Sequence, residues 1–481
     1  MLPRRWMFLS ALLASSGCSF APSHVRPAQP VPEHFVADPG ADASSIARTG
    51  WRDFFRDEEL RRLIEAALAN NRDIRIAAAR VAEARAAWRI EGAPLYPELD
   101  AGLSGNRGRS LLNLPGAGAQ SYDIKQVTAQ LSAQWEIDFW GRLRSLGDAA
   151  RDRYLATEES RRAVATDLVA QVANGYLLER EYEERGVLAR QTIATREESL
   201  RILRRRYEVG SGSRLDLAQA EILLAQAQAV LQGLDQDRQV NLNALQLLIG
   251  GPVEIAPGPR RLADAVPDVD LPPGLPSDLL VNRPDIVAAE YALHAANADI
   301  GAARAAFFPN IRLTGAFGST STDLDGLFAS GSRSWSFSPA ITLPIFNAGR
   351  LKGNLDVAKA RQVRAVAEYE QAVQAAFRDV SDALVRRRQL GLQIATTRTM
   401  LRAARERGRL AQLRFENGRS AYLEVLDAQR GLFDTEQTLV QLRRAHLASA
   451  VALYAALGGG FAGAPPFNNS PNTQPTGADQ K

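Results

Sequence analysis

Val127-Thr128-Ala129-Gln130-Leu131-Ser132-Ala133-Gln134-Trp135-Glu136-Ile137 alternates apolar and polar residues at every step. A β-strand turns successive side chains to opposite faces, so this stretch reads as a strand with one apolar and one polar face. Leu99 to Gly105 repeats the pattern more weakly, and Ile311 to Phe317 and Trp335 to Leu343 repeat it later in the chain. Four such strands suit a membrane barrel, whose strands take roughly 10 residues each with polar side chains facing inward. They also suit a soluble sheet lying on a core. The Gly-, Ser- and Asn-rich links Asn106 to Ile124 and Ser319 to Ser334 have the size of external loops.

Helical sequence surrounds the strands. Arg142 to Glu208 contains no proline and is dominated by Ala, Leu, Arg and Glu. As one continuous helix it would run for about 100 Å, far more than a compact globule needs. After it, Leu215, Ala218, Ile222, Ala225 and Ala229 keep a 3-4-3-4 spacing. Leu423, Leu426, Phe433, Val440, Leu447, Val451 and Tyr454 form a related stripe. Seams of this kind imply coiled-coil packing.

The chain repeats itself. Asp73-Ile74 to Leu95-Tyr96-Pro97-Glu98-Leu99 is echoed by Asp285-Ile286 to Phe307-Phe308-Pro309-Asn310-Ile311. Arg206-Tyr207-Glu208-Val209-Gly210 is echoed by Arg414-Phe415-Glu416-Asn417-Gly418, and Leu215-Asp216-Leu217 by Leu423-Glu424-Val425. Near-constant offsets mean one duplicated unit: helix, strand hairpin, very long helix, Gly-containing turn, helix. The expected organisation is a signal peptide at 1–17, a lipidated linker at 18–50, a first repeat at 51–250, a linker at 251–275 belonging to a belt around the helices, a second repeat at 276–458 and a disordered tail at 459–481.

Composition removes several function classes. The 58 basic and 54 acidic residues nearly cancel and are spread along the chain, so nothing calls for a nucleic-acid partner. The single cysteine, Cys18, forbids an intramolecular disulfide. The four histidines (His24, His34, His294 and His446) are scattered without metal-ligand spacing, so no metal is expected. Gly210-Ser211-Gly212 hints at a phosphate loop but lacks a third glycine and follows a helix. There is no nucleophile elbow and no HExxH, and the carboxylates read as solvated helix faces. No enzyme and no catalytic residue is expected.

The N-terminus carries an address. Arg4 and Arg5 precede the short apolar run Trp6 to Ala14, and Ser15-Ser16-Gly17-Cys18 resembles a bacterial lipoprotein cleavage box. It departs from the usual pattern at Ser15, where leucine is commonest. Cys18 then becomes an acylated N-terminus carrying diacylglycerol and palmitate. Ser19, not being aspartate, implies sorting to the outer membrane. No later segment reads as a transmembrane helix, so a membrane crossing must be a closed β-barrel. Four strands cannot close a wide barrel, whereas three copies would supply twelve.

Asn282-Arg283-Pro284-Asp285-Ile286, Phe307-Phe308-Pro309-Asn310-Ile311 and Leu343-Pro344-Ile345-Phe346-Asn347-Ala348-Gly349-Arg350 resemble motifs of the TolC superfamily, closest to its OprM/NodT-like lipoprotein branch. The resemblance covers roughly Trp51 to Gly458. It implies an α plus transmembrane-β homotrimer, a 12-stranded barrel in outer-membrane lipid continuous with a long helical barrel. It implies a passive exit duct of a tripartite, RND-type efflux pump, fed by an inner-membrane transporter and a periplasmic adaptor. The alternatives are a duct for type I protein secretion and a pore-less periplasmic coiled-coil protein. The turns Tyr207 to Ser213 and Phe415 to Ala421 are the expected adaptor-contacting tips, with Gly210, Ser211, Gly418 and Arg419 at their apices. The resemblance puts the periplasmic gate at Asp427, Glu424 and Phe415. Phe415 stands where the family often has tyrosine. Ser420 stands where some members carry a gate-locking arginine, a lock that Arg419 would have to supply.

Overall fold

The computed structural model describes residues 20–28, 30–32, 35, 49–114, 118–255 and 279–460. The signal peptide, Cys18, most of the 251–275 linker and nearly all of the tail lie outside the described residues.

The elements follow the order of the duplication. Helices α1 (Trp51–Phe54), α2 (Glu58–Asn70) and α3 (Arg72–Gly92) lead into strands β1 (Glu98–Leu114) and β2 (Gly118–Ile137). Helices α4 (Arg142–Glu208) and α5 (Arg214–Ile249) complete the first half. The second half runs α6 (Leu279–Asn282), α7 (Pro284–Ala305), β3 (Asn310–Ser321), β4 (Arg333–Thr342), α8 (Arg350–Glu416) and α9 (Tyr422–Ala456). Helices α4 and α8 are each 67 residues long without a break. Both ends of α4 map onto α8 with one offset of 208 residues.

The four strands form one antiparallel sheet in the order β1-β2-β3-β4. The first hairpin is longer than the alternation indicates. Residues 106–114 and 118–124 belong to β1 and β2 and pair down to Leu114 opposite Gly118. The link read as an external loop is thus mostly strand. Ladder hydrogen bonds depend on the backbone, so pairing with a neighbouring strand needs no alternation of side chains. The second link also shortens, because Ser319–Ser321 and Arg333–Ser334 are paired strand.

The described chain divides into two compact units. The first draws on the described residues within Met1–Pro30, Arg75–Arg161 and Asp285–Gln374, and holds the sheet, α3, α7 and the adjoining parts of α4 and α8. Its helices meet through small residues: Ala149 buries with Ala295 and Ala298, and Leu293 and Ala296 with Ala365. The second unit draws on the described residues within Val31–Ile74, Arg162–Pro284 and Ala375–Lys481. Its main core gathers Phe54, Phe55, Leu60 and Ile64 against Val172, Tyr176, Leu245, Val451 and Tyr454. Asp57 caps α2, accepting from the Glu59 and Leu60 amides, and also accepts the Tyr176 hydroxyl at 2.9 Å.

One heptad stripe behaves as the spacing predicts except at its first residue, Leu423, which is 49% exposed. Leu426, Phe433, Val440, Leu447 and Tyr454, seven apart, are all buried. The other does not. On α5 the buried positions are Leu217, Ala220, Leu223, Ala227, Leu234, Asn241, Leu245 and Ile249, while Leu215 and Ile222 are 63% and 56% exposed. Helix α5 therefore has two apolar stripes, and the spacing selected the one left uncovered within the chain. Among the described residues no helix is long and apolar enough to cross a membrane.

Candidate functional site

From the row of Ile311 to the row of Ala101 the sheet sorts its side chains, while further along the first hairpin the same face turns charged at Arg107, Lys125, Arg109 and Asp123. Cross-strand partners share a face, so the register puts Ala101, Leu131, Phe317 and Trp335 in one row and Leu99, Ala133, Gly315 and Phe337 in the next. Ile137, Ile311 and Ile341 continue that face. The opposite face carries Asp100, Ser132, Ala316 and Ser336, then Gly102, Gln130, Gly318 and Ser334. The apolar face is bare within the chain: Phe317 and Phe337 are 62% exposed and Trp335 is 79% exposed. Strands β1 and β4 each pair on one side only among the described residues.

Both interhelical turns use the same cap. Gly210 and Gly418 have φ of 74° and 67°, the left-handed region that glycine enters without strain. The Ser211 amide donates to the Arg206 carbonyl and the Arg419 amide to the Arg414 carbonyl, each at 2.8 Å. These bonds close a Schellman motif in each repeat and satisfy carbonyls the helix end would orphan. The following helices start differently. Ser213 caps α5 through the Leu215 amide, whereas Ala421 before α9 has no side chain able to cap. Ser211 and Arg419 are exposed at the two turns. Ser420 is half-buried, and its hydroxyl meets no hydrogen-bond partner.

Beside the second turn lie the three residues assigned to a gate. Phe415 packs edge-on against Tyr422 with centroids 4.7 Å apart, and the Arg206 guanidinium covers its ring at 5.0 Å. Neither acid is bare. Glu424 Oε2 lies 3.2 Å from Arg414 Nη1. The Asp427 carboxylate accepts from Arg407 on α8 and from Arg430 one turn along α9. Arg407, with Arg430 assisting, holds the Asp427 carboxyl below the usual carboxylate range. Sequence reasoning found the acids and missed their arginines. The Asp427/Arg430 spacing of three was legible; Arg407 and Arg414 belong to the preceding helix and required the fold.

The structure corrects the reading of the histidines as four scattered residues. His24 and His294 stack with ring centroids 3.8 Å apart, and Glu290 lies one turn before His294 on α7. Burial, with His294 adding to it, holds His24 below the usual imidazole value. The Glu290/His294 spacing was visible in the sequence, but nothing local pointed to His24.

A model of the family described as outer membrane efflux protein matches residues 63–251 and 275–459, one match to each repeat. The cation efflux system protein CusC of Escherichia coli O6:H1 is 40% identical over 96% of this chain and 100% of its own length. The solvent efflux pump outer membrane protein SrpC of Pseudomonas putida is 43% identical over 94% of this chain and 97% of its own. The open-state structure of the MtrE outer membrane channel of Neisseria gonorrhoeae superposes with a TM-score of 0.85 at 39% identity, covering 92% of this chain and 98% of that one. Duplicated helices around a four-stranded sheet, with the family model matching both halves, are the TolC-type channel fold, and the chain belongs to the outer membrane efflux protein family as an outer-membrane channel component of efflux.

Proposed function

We propose that three copies of the chain close a 12-stranded barrel and form a passive exit duct for small molecules. The observation that carries this is the sheet with an apolar face, a polar face and two edges unpaired among the described residues. The strands alternate in direction, so β4 of one copy meets β1 of the next antiparallel, as an up-and-down barrel requires. The apolar face then meets lipid and the polar face lines water. The uncovered stripe on α5, including Val240 and Leu247 at 60% and 79% exposure, speaks for further contacts between copies. A pore-less coiled-coil protein would have no use for the two-faced sheet.

Closure by copies of itself leaves the chain without an energy source, so an inner-membrane transporter drives export and a periplasmic adaptor joins the two at the tips around Ser211 and Arg419. Asp427, Glu424 and Phe415 form the gate, with Arg407, Arg414 and Arg430 holding the acids while it is shut. Cys18 carries the lipid. A cation-efflux relative and a solvent-efflux relative are almost equally similar to this chain. That supports a duct whose cargo is chosen by the transporter. Purified protein in planar lipid bilayers is expected to give discrete conductance steps; a protein that inserts and gives none would end the duct reading.

A further inference from the structure

Residues 20–28 form a strap along α7. The Phe20 ring stacks on Phe308 with centroids 4.7 Å apart, and the Phe20 carbonyl accepts from Arg304 at 2.8 Å. A Cβ built on Gly301 would come within 2.8 Å of the Ala21 nitrogen, so the strap lies directly on the helix there. Further along, Arg26 makes two 2.9 Å bonds to the two carboxylate oxygens of Glu290. The contacts descend α7 from Arg304 through Gly301 to Glu290 as the strap ascends from Phe20 to Arg26. An extended segment of six residues covers about 20 Å, as does a helix of fourteen, so the strap is taut and antiparallel to α7.

His24 sits where this strap crosses His294 and Glu290. One ligand atom from each of the three falls within 4.8 Å of the other two. Both ring nitrogens of His24 are buried and neither meets a hydrogen-bond partner. Nε2 stops 3.6 Å from Glu290 Oε1. The Tyr369 hydroxyl, on a residue 1% exposed and within electrostatic range of Glu290 and Arg26, is also without a partner. Buried polar atoms are normally satisfied, and such a group signals an ion or ordered water.

We infer that His24, Glu290 and His294 form a binding site for a borderline divalent transition cation such as Zn²⁺ or Cu²⁺, which fastens the N-terminal strap to α7. Two imidazoles and one carboxylate suit these ions and leave a position for water. Bond lengths near 2.0–2.1 Å set ligand atoms about 3.4 Å apart in a tetrahedral site, so binding must turn one imidazole out of the present His24–His294 stack until both in-plane lone pairs meet the ion. Arg26 holds the same carboxylate and opposes the cation by its charge, which makes the site weaker than a dedicated structural one. The inference is independent of the duct reading, because it concerns the strap and one helix within a single compact unit.

Titration of the full-length detergent-solubilised protein with ZnCl₂, followed by calorimetry, is expected to show one site per chain. His24→Ala and His294→Ala should each raise the apparent Kd by at least about tenfold, a scale reached even by loss of a metal site's outer partners. Arg26→Ala should lower the Kd, while His34→Ala leaves it unchanged. The wild-type protein loaded with Cu²⁺ should give an electron paramagnetic resonance spectrum with hyperfine coupling to two nitrogens, a readout that needs no variant to fold. Absence of binding to the wild type, or one-site binding that survives loss of both His24 and His294, overturns the proposal.

Discussion

Arg407 on α8 donates to the carboxylate of Asp427 on α9, tying the long helix of the second repeat to its return just behind the turn. Arg430 shares the same carboxylate, so the acid is outnumbered by its own arginines. In the proposed trimer a ring of three such sites would combine carboxylates with guanidinium groups, and removing the acid would leave positive charge behind.

Asp427→Asn is therefore expected to shift the channel away from cations and raise its open probability, because the tie between α8 and α9 goes with the charge. Glu424→Gln, which frees only Arg414, should act in the same direction and less strongly. Reversal potentials in asymmetric salt and single-channel open times check both. Unchanged selectivity in both variants would remove the acids from the pore.

The same pair sets a pH window. A carboxyl with a depressed folded value stays ionised well below neutral pH and loses its stabilising contribution only as pH falls through that value. Asp427 should keep its arginines from pH 7 to pH 5, and release should begin only below about pH 4, the ordinary carboxylate region. Conductance recorded from pH 7 downward is expected to be flat to about pH 4 and to rise only below it in the wild type. Asp427→Asn should lack the acid rise.

Trp335 lies near the start of the edge strand β4 on the bare apolar face, in one row with Leu131 and Phe317. If that face meets lipid, Trp335→Arg places a charge in the bilayer at a cost of about 2–4 kcal/mol near the midplane. Ser336→Arg, one residue along on the polar face, should be nearly neutral for stability and change conductance instead. Heat resistance of the assembled oligomer on gels and single-channel conductance separate the two outcomes. Equal damage from both substitutions would refute the assignment of faces.

Crosslinkers placed at Ser211 and Arg419 are expected to trap a periplasmic adaptor in cells. Gly210→Val and Gly418→Val should reduce that capture, because a β-branched residue is strained at positive φ. Capture from positions in the strand links instead would reverse the proposed orientation of the duct.

Cys18→Ser should abolish incorporation of radioactive palmitate. It is expected to leave conductance of the purified protein intact, since a closed barrel holds itself in the membrane. A variant that still takes up label would exclude Cys18 as the lipid site.

The sequence by itself determined the elements, their duplication and the two-faced character of the strands. These follow from periodicities of two and 3.6 residues, which each segment carries without reference to its neighbours. It likewise located both turns, because a glycine after a long helix has a local meaning. The tertiary structure decided what local pattern leaves open. A heptad stripe shows that a helix packs but not against what, so Leu215 and Ile222 were indistinguishable from the inner seam of Ala220 and Ala227 until α5 was placed. The extension of β1 and β2 through residues without alternation came from pairing with a partner strand. The Arg407–Asp427 tie and the His24–Glu290–His294 cluster join residues on different elements, and such contacts arise only when the chain has fixed which helix faces lie together.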